Sequence, residues 1–130
     1  MLIGLLEDDL AIQEMLRLLL QSEGYEVTAY ASAEECLTRL RIDDAQSDVA
    51  CPNLLMIDLH LAKAISGLVV IEQIRSNPRL KSLPIILMTA SAFIDKQDLQ
   101  RLHVTLLPKP FDIDEIIRIA DELRQAPTQD

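Results

Sequence analysis

Two carboxylates, Glu7 and Asp8, follow the apolar run LIGLL, and a single one, Asp58, follows NLLMI. A hydroxyl, Thr89, closes PIILMT, and an ammonium, Lys109, stands between two prolines after VTLL. A lone carboxylate at the end of a buried segment is costly unless a partner or a cation compensates it, so these groups are read together. Clustered carboxylates repel one another until a cation joins them. Hard oxygen ligands with no His or Cys suit Mg²⁺, which keeps several waters and is completed by a phosphate; Mn²⁺ accepts the same donors. A metal-bound carboxylate beside a lysine and a hydroxyl is equipped for phosphoryl transfer, where in-line positioning and charge neutralisation do most of the catalysis. In this reading Asp58 is the nucleophile and phosphoacceptor. Glu7 and Asp8 join it around the metal, and Lys109 and Thr89 bind phosphoryl oxygens.

Such a site needs elements that bring distant segments to one rim. LIGLL, EVTAY, NLLMI, PIILMT and VTLL read as strands, and their continuous aliphatic character suits strands buried on both faces of a parallel sheet. Helical patterns lie between them. Ile12, Met15, Leu16, Leu19 and Leu20 make one apolar stripe, read as core, with Gly24 as the stop. SAEE at 32–35 and DIDE at 112–115 have capping-box spacing ahead of apolar faces. Ser66 caps a helix through Leu68, Ile71 and Ile74 that the Asn77–Pro78 pair ends, and 94–102 is a shorter helix. Residues 41–53 form an extended connection. Alternating strands and helices give a parallel sheet covered on both faces, and the strands' shared direction puts residues 7, 8, 58, 89 and 109 on one edge. Asp9, one step past the acidic pair, reads as the cap of the first helix.

Composition narrows the choices. The chain has 130 residues, enough for one domain with a real core, and only 3% of them are aromatic, so the core is aliphatic. The net charge of −9 argues against gripping nucleic acid or an anionic membrane. Cys36 and Cys51 have no metal-type spacing and read as reduced, with Cys36 in the core. No apolar run approaches the roughly 18 residues of a membrane span.

Four segments, LLEDDLAIQEML, LLMIDLHL, LMTASA and LPKPF, resemble in series the receiver domain of two-component response regulators, over essentially the whole chain. The resemblance implies a flavodoxin-like α/β fold: a doubly wound, five-stranded parallel sheet of order 2-1-3-4-5 with helices on both faces. It implies a receiver over residues 1–125, with 126–130 a tail or the start of a linker. It further implies phosphorylation of Asp58 by a sensor histidine kinase or a histidine phosphotransfer protein, and a cytoplasmic setting. The backbone carbonyl of His60 would be a further Mg²⁺ ligand, and the Lys109–Pro110 bond would be cis. Catalysis would be confined to phosphorylation and dephosphorylation of Asp58 itself. The output partner, a homodimer and any domain after Asp130 are left open.

The chain also departs from that family's pattern. Ala62 stands where a proline is usual, Gly67 comes nine residues after Asp58 rather than eight, and the segment between Thr89 and Lys109 is short. Leu106 takes the place of a switching aromatic, three residues before Lys109. Two other readings therefore stay open. One is a receiver-like interaction module that works without phosphorylation, with an altered face at the fourth helix, fifth strand and fifth helix. The other is a metal-dependent phosphatase; such enzymes generally need an acid two residues beyond the nucleophile, where this chain has His60.

Overall fold

The computed structural model describes residues 1–91 and 94–125. The tail expected over 126–130 lies outside the described residues. Five strands, β1 (Leu2–Leu6), β2 (Glu26–Tyr30), β3 (Leu54–Asp58), β4 (Ile85–Thr89) and β5 (Val104–Pro108), form one parallel sheet of order β2-β1-β3-β4-β5. The helices are α1 (Leu10–Ser22), α2 (Ala33–Arg39), α3 (Gly67–Ser76), α4 (Lys96–Leu102) and α5 (Ile113–Gln125). This is the flavodoxin-like architecture expected from the sequence.

Strand side chains alternate between faces, and the alternation sorts the core into two layers. Ile3 and Leu5 of β1, Leu54 and Met56 of β3, and Ile86 and Met88 of β4 pack against Leu16 and Leu20 of α1 and Ile116 of α5. Leu55, Ile57, Ile85 and Leu87 point the other way, onto Cys36, Val70, Ile71 and Ile74 of α2 and α3. Every residue of β3 is buried, and each aliphatic side chain so buried is worth about 1.5–3 kcal/mol. That gain is why the run can end in a carboxylate.

Local signals stop and start the helices as their residue types dictate. Ser32 Oγ accepts from Glu35 N at 3.0 Å and caps α2, while the Glu35 carboxylate reaches back to accept from Ala31 N, one residue before the cap. Ser66 Oγ caps α3 through Leu68 N, and Gly24, at φ 93°, ends α1 in the left-handed region. Arg75, near the end of α3, donates to four carbonyls: Leu80 and Lys81 on one side, Leu102 and His103 at the α4–β5 junction on the other.

Two expectations are corrected. Met15 and Leu19, read as core, are 52% and 39% exposed; α1 has a wider apolar arc than the sheet and α5 cover. Residues 41–46 are turns rather than extended chain. Buried Asn77 holds them by donating to Ile42 O and Asp44 O at 3.1 and 3.2 Å, and Arg79 donates to Leu40 O and Arg41 O.

The loop after β3 doubles back, with Leu61 N bonded to Ile65 O at 3.0 Å and Gly67 N to Leu59 O at 2.7 Å. At its tip Lys63 and Ala64 both have positive φ, 63° and 57°. A Cβ is disfavoured there by roughly 1–2 kcal/mol per residue, partly offset by the greater unfolded-state entropy of glycine. Ala64→Gly is therefore expected to raise stability by about 0.5–1 kcal/mol in urea unfolding, and an unchanged midpoint would count against strain at this tip.

Candidate functional site

The two-residue alternation continues past the strand ends. Glu7 follows the parity of Leu5, Asp58 that of Met56 and Lys109 that of Leu107, so all three fall on the α1/α5 side. Thr89 follows Leu87 and has the opposite parity. The three carboxylates Glu7, Asp8 and Asp58 each offer an oxygen, and these atoms lie within 4.8 Å of one another. Lys109 Nζ is 3.0 Å from Asp58 Oδ2 and 3.6 Å from Glu7 Oε2. Glu7, Asp8, Asp58 and Lys109 thus lie together at one rim.

Each is held by the backbone that delivers it. Asp58 Oδ1 accepts from His60 N at 3.0 Å, leaving Oδ2 to face the lysine. The His60 imidazole is exposed, and its backbone pairs with Ser66 across the loop. Thr89, buried at the end of β4, accepts from Ser91 N through Oγ1, and its carbonyl accepts from Lys109 N at 2.7 Å. That last bond docks the lysine segment onto β4, and the Lys109–Pro110 peptide is cis. Asp9 stands apart from the cluster: its carboxylate accepts from Ala11 N and Ile12 N and caps α1.

Gly67, the first residue of α3, lies against the backbone of Asp58. A Cβ there would overlap the Asp58 carbonyl oxygen and come within 3.0 Å of Ile57 Cγ2. Only glycine lets α3 start this close to the strand that carries Asp58.

Electrostatically the site is short of positive charge. Glu7 is 1% exposed; its Oε1 accepts from Asp9 N, but its Oε2 is buried without a hydrogen-bond donor among the described residues. Burial, followed by the neighbouring Asp58 carboxylate, pushes the Glu7 carboxyl up to about 7 from an ordinary 4.5. An orphaned carboxylate oxygen beside two further carboxylates, with no nitrogen or sulfur ligand, fits a hard divalent cation.

The raised Glu7 value fixes a sign. Between pH 4.5 and about 7 the Glu7 carboxyl holds more proton in the folded chain than in the unfolded one, so without metal its contribution to stability falls as pH rises through that window and levels off above it. The full effect is on the order of a few kcal/mol. Thermal melts from pH 4 to 8 should show this decline in the parent and lose it in Glu7→Gln; equal slopes would place the charge burden elsewhere. A divalent cation bound to Glu7 would have to displace that proton, so its affinity would rise over the same range.

Comparison with known proteins places this geometry in a class. The response regulator receiver domain matches residues 3–121, and the chain belongs to this family. It is 31% identical over 119 residues to the DNA-binding transcriptional regulator NtrC of Klebsiella pneumoniae, covering 90% of this chain and 23% of that protein. The chain thus spans about a quarter of the length of that relative. It is 32% identical to an uncharacterized 14.6 kDa protein of Leptolyngbya boryana, covering 89% of this chain and 84% of that one. Among solved structures, the response regulator TrrA of Thermotoga maritima in complex with Mg²⁺–BeF superposes with a TM-score of 0.76 at 28% identity, covering 94% of this chain and 97% of that one. The chemotaxis response regulator CheY4 of Vibrio cholerae, at 21% identity, a TM-score of 0.78 and the same coverage of 94% and 97%, shares the fold.

Sequence reasoning missed two features of this rim. One is the exposed apolar edge of α1: Ile12, Met15, Leu19, Ala90, Pro110 and Phe111 line a groove of about 440 Å³ that reaches Lys109. The other is Gln13. Its signal was present, because residues 9, 13, 16 and 20 share one helical stripe and Gln13 is the polar residue between the Asp9 cap and two buried leucines.

Proposed function

We propose that the chain is a phosphoacceptor, taking a phosphoryl group onto Asp58 from a phosphohistidine of a sensor kinase or phosphotransfer protein and altering its contacts with an output partner. The observation that carries this is the meeting of Asp58, Glu7 and Asp8 within 4.8 Å with Lys109 at 3.0 Å from the Asp58 oxygen that faces it. Glu7, Asp8 and Asp58, with the His60 carbonyl, would hold Mg²⁺, which supplies neutralisation of charge on the phosphoryl oxygens. An Asp58 carboxylate oxygen forms the new O–P bond as the P–N bond breaks, and that electron pair stays with the donor imidazole, which takes up a proton. His60 N holds Oδ1 and so orients the nucleophile. Lys109 and Thr89 meet the transferring oxygens from opposite faces of the sheet, which spreads neutralising contacts around an in-line transition state.

The donor must come over the α1 side of the rim, where the apolar groove adjoins Lys109. An amphipathic helix carrying the phosphohistidine fits such a surface. Among the described residues no helix is long and apolar enough to cross a membrane. The receiver is assigned to residues 1–125.

The test is incubation with Mg²⁺ and acetyl phosphate or beryllofluoride. The parent should take up one phosphoryl group or its analogue, and Asp58→Asn none. A parent that stays unmodified with every donor would leave the second reading, a fixed-state interaction module. What favours that second reading is Leu106, an aliphatic side chain three residues before Lys109 that packs against the α2–α3 core layer.

A further inference from the structure

We infer that Gln13 is the positioning residue of the acidic loop, bracketing Glu7 and Asp8 so that their carboxylates face the cation site. The inference rests on the Mg²⁺-dependent phosphoacceptor reading above. Gln13 Nε2 donates to Glu7 O at 2.8 Å and to Tyr30 O at 3.0 Å, the second carbonyl being the last of β2. Glu7 N donates to the same Tyr30 O at 3.3 Å. The backbone N–H of Gln13 meanwhile donates to Asp9 O at 2.9 Å. The side chain of Gln13 therefore holds the Glu7 end of the loop, while its main chain makes the first helical bond of α1 to Asp9, with Asp8 between them.

A leucine at position 13 would continue the buried stripe of Leu16 and Leu20, but it would leave two carbonyls at the strand ends without this donor. An arginine or lysine could donate, yet it would set a fixed positive charge beside a site that must admit a dication. A carboxamide supplies two N–H bonds with no charge. With its carbonyl held by Gln13 and Oε1 held by Asp9 N, Glu7 keeps Oε2 free and turned toward Lys109.

The experiment is calorimetric titration of the whole chain with Mg²⁺, alongside its melting temperature, for the parent, Gln13→Met, Gln13→Asn and the remote core variant Leu20→Val. Residues that orient metal ligands typically govern affinity by 10- to 100-fold. Gln13→Met should bind Mg²⁺ about tenfold more weakly, and Gln13→Asn, which keeps the amide one methylene short, should do the same. Leu20→Val should melt earlier yet keep the parent affinity. If Gln13→Met does not fold, Gln13→Asn carries the comparison. Parent-like affinity in the Gln13 variants, or affinity loss in Leu20→Val in step with its melting temperature, overturns the inference and leaves the phosphoacceptor reading standing. A parent that binds no Mg²⁺ overturns that reading, and the inference with it.

Discussion

A Lys109→Met chain is expected to accept phosphoryl groups about 100-fold more slowly than the parent while binding Mg²⁺ several-fold more tightly. The two effects have opposite signs because the ammonium sits 3.0 Å from Asp58 and 3.6 Å from Glu7. Before transfer it competes with a dication for the same carboxylates, so its removal favours the metal. In the proposed transfer it would meet charge that develops on the phosphoryl oxygens, and removing one such preorganised donor costs on the order of 10²–10³ in rate. Methionine keeps most of the stem that the lysine packs with. Stopped-flow uptake from acetyl phosphate gives the first number and calorimetry the second. A transfer rate within tenfold of the parent would remove Lys109 from the proposed mechanism.

The double substitution Met15→Asp/Leu19→Asp should separate two kinds of donor. Both side chains are exposed on α1 and line the groove beside Lys109 and Pro110. Solvent-exposed apolar side chains contribute little to folding, but at a docking surface a few of them carry most of the binding energy, often 1–2 kcal/mol or more each. Transfer from a protein phosphohistidine is expected to fall about 10- to 100-fold, and uptake from acetyl phosphate to change less than about twofold, since a small donor needs no docking surface. Equal loss with both donors would mean that the variant had disturbed the site itself, and equal retention would move the docking surface away from α1.

Most of the sheet was legible because β3 and β4 are buried on both faces, and a strand so placed must be aliphatic throughout. The site was legible for a related reason. Asp58 and Thr89 are the last residues of their strands, and Lys109 directly follows the last residue of β5. The type of the first polar residue after each apolar run therefore gave its place. The role of α1 was less legible. Five apolar positions over Ile12–Leu20 mark an arc, but which edge of that arc is covered depends on how α5 lies, a relation between segments some hundred residues apart. The same holds for residues 41–46, whose turns are closed by Asn77 and Arg79. Nothing in the local spacing of that stretch announces donors more than thirty positions away. Gln13 lay between these cases, visible as a polar break in a buried stripe and interpretable only once the carbonyls of Glu7 and Tyr30 were found opposite it.

The fork of Arg75 bears on how movement could leave the rim. By tying Leu102 and His103 to the stretch after α3, it anchors α4 at the end far from Asp58. A displacement of α4 that kept these bonds would be smallest at Leu102 and largest toward Asp95. With Arg75 holding Leu102 and His103, that end would be the fulcrum of any such displacement.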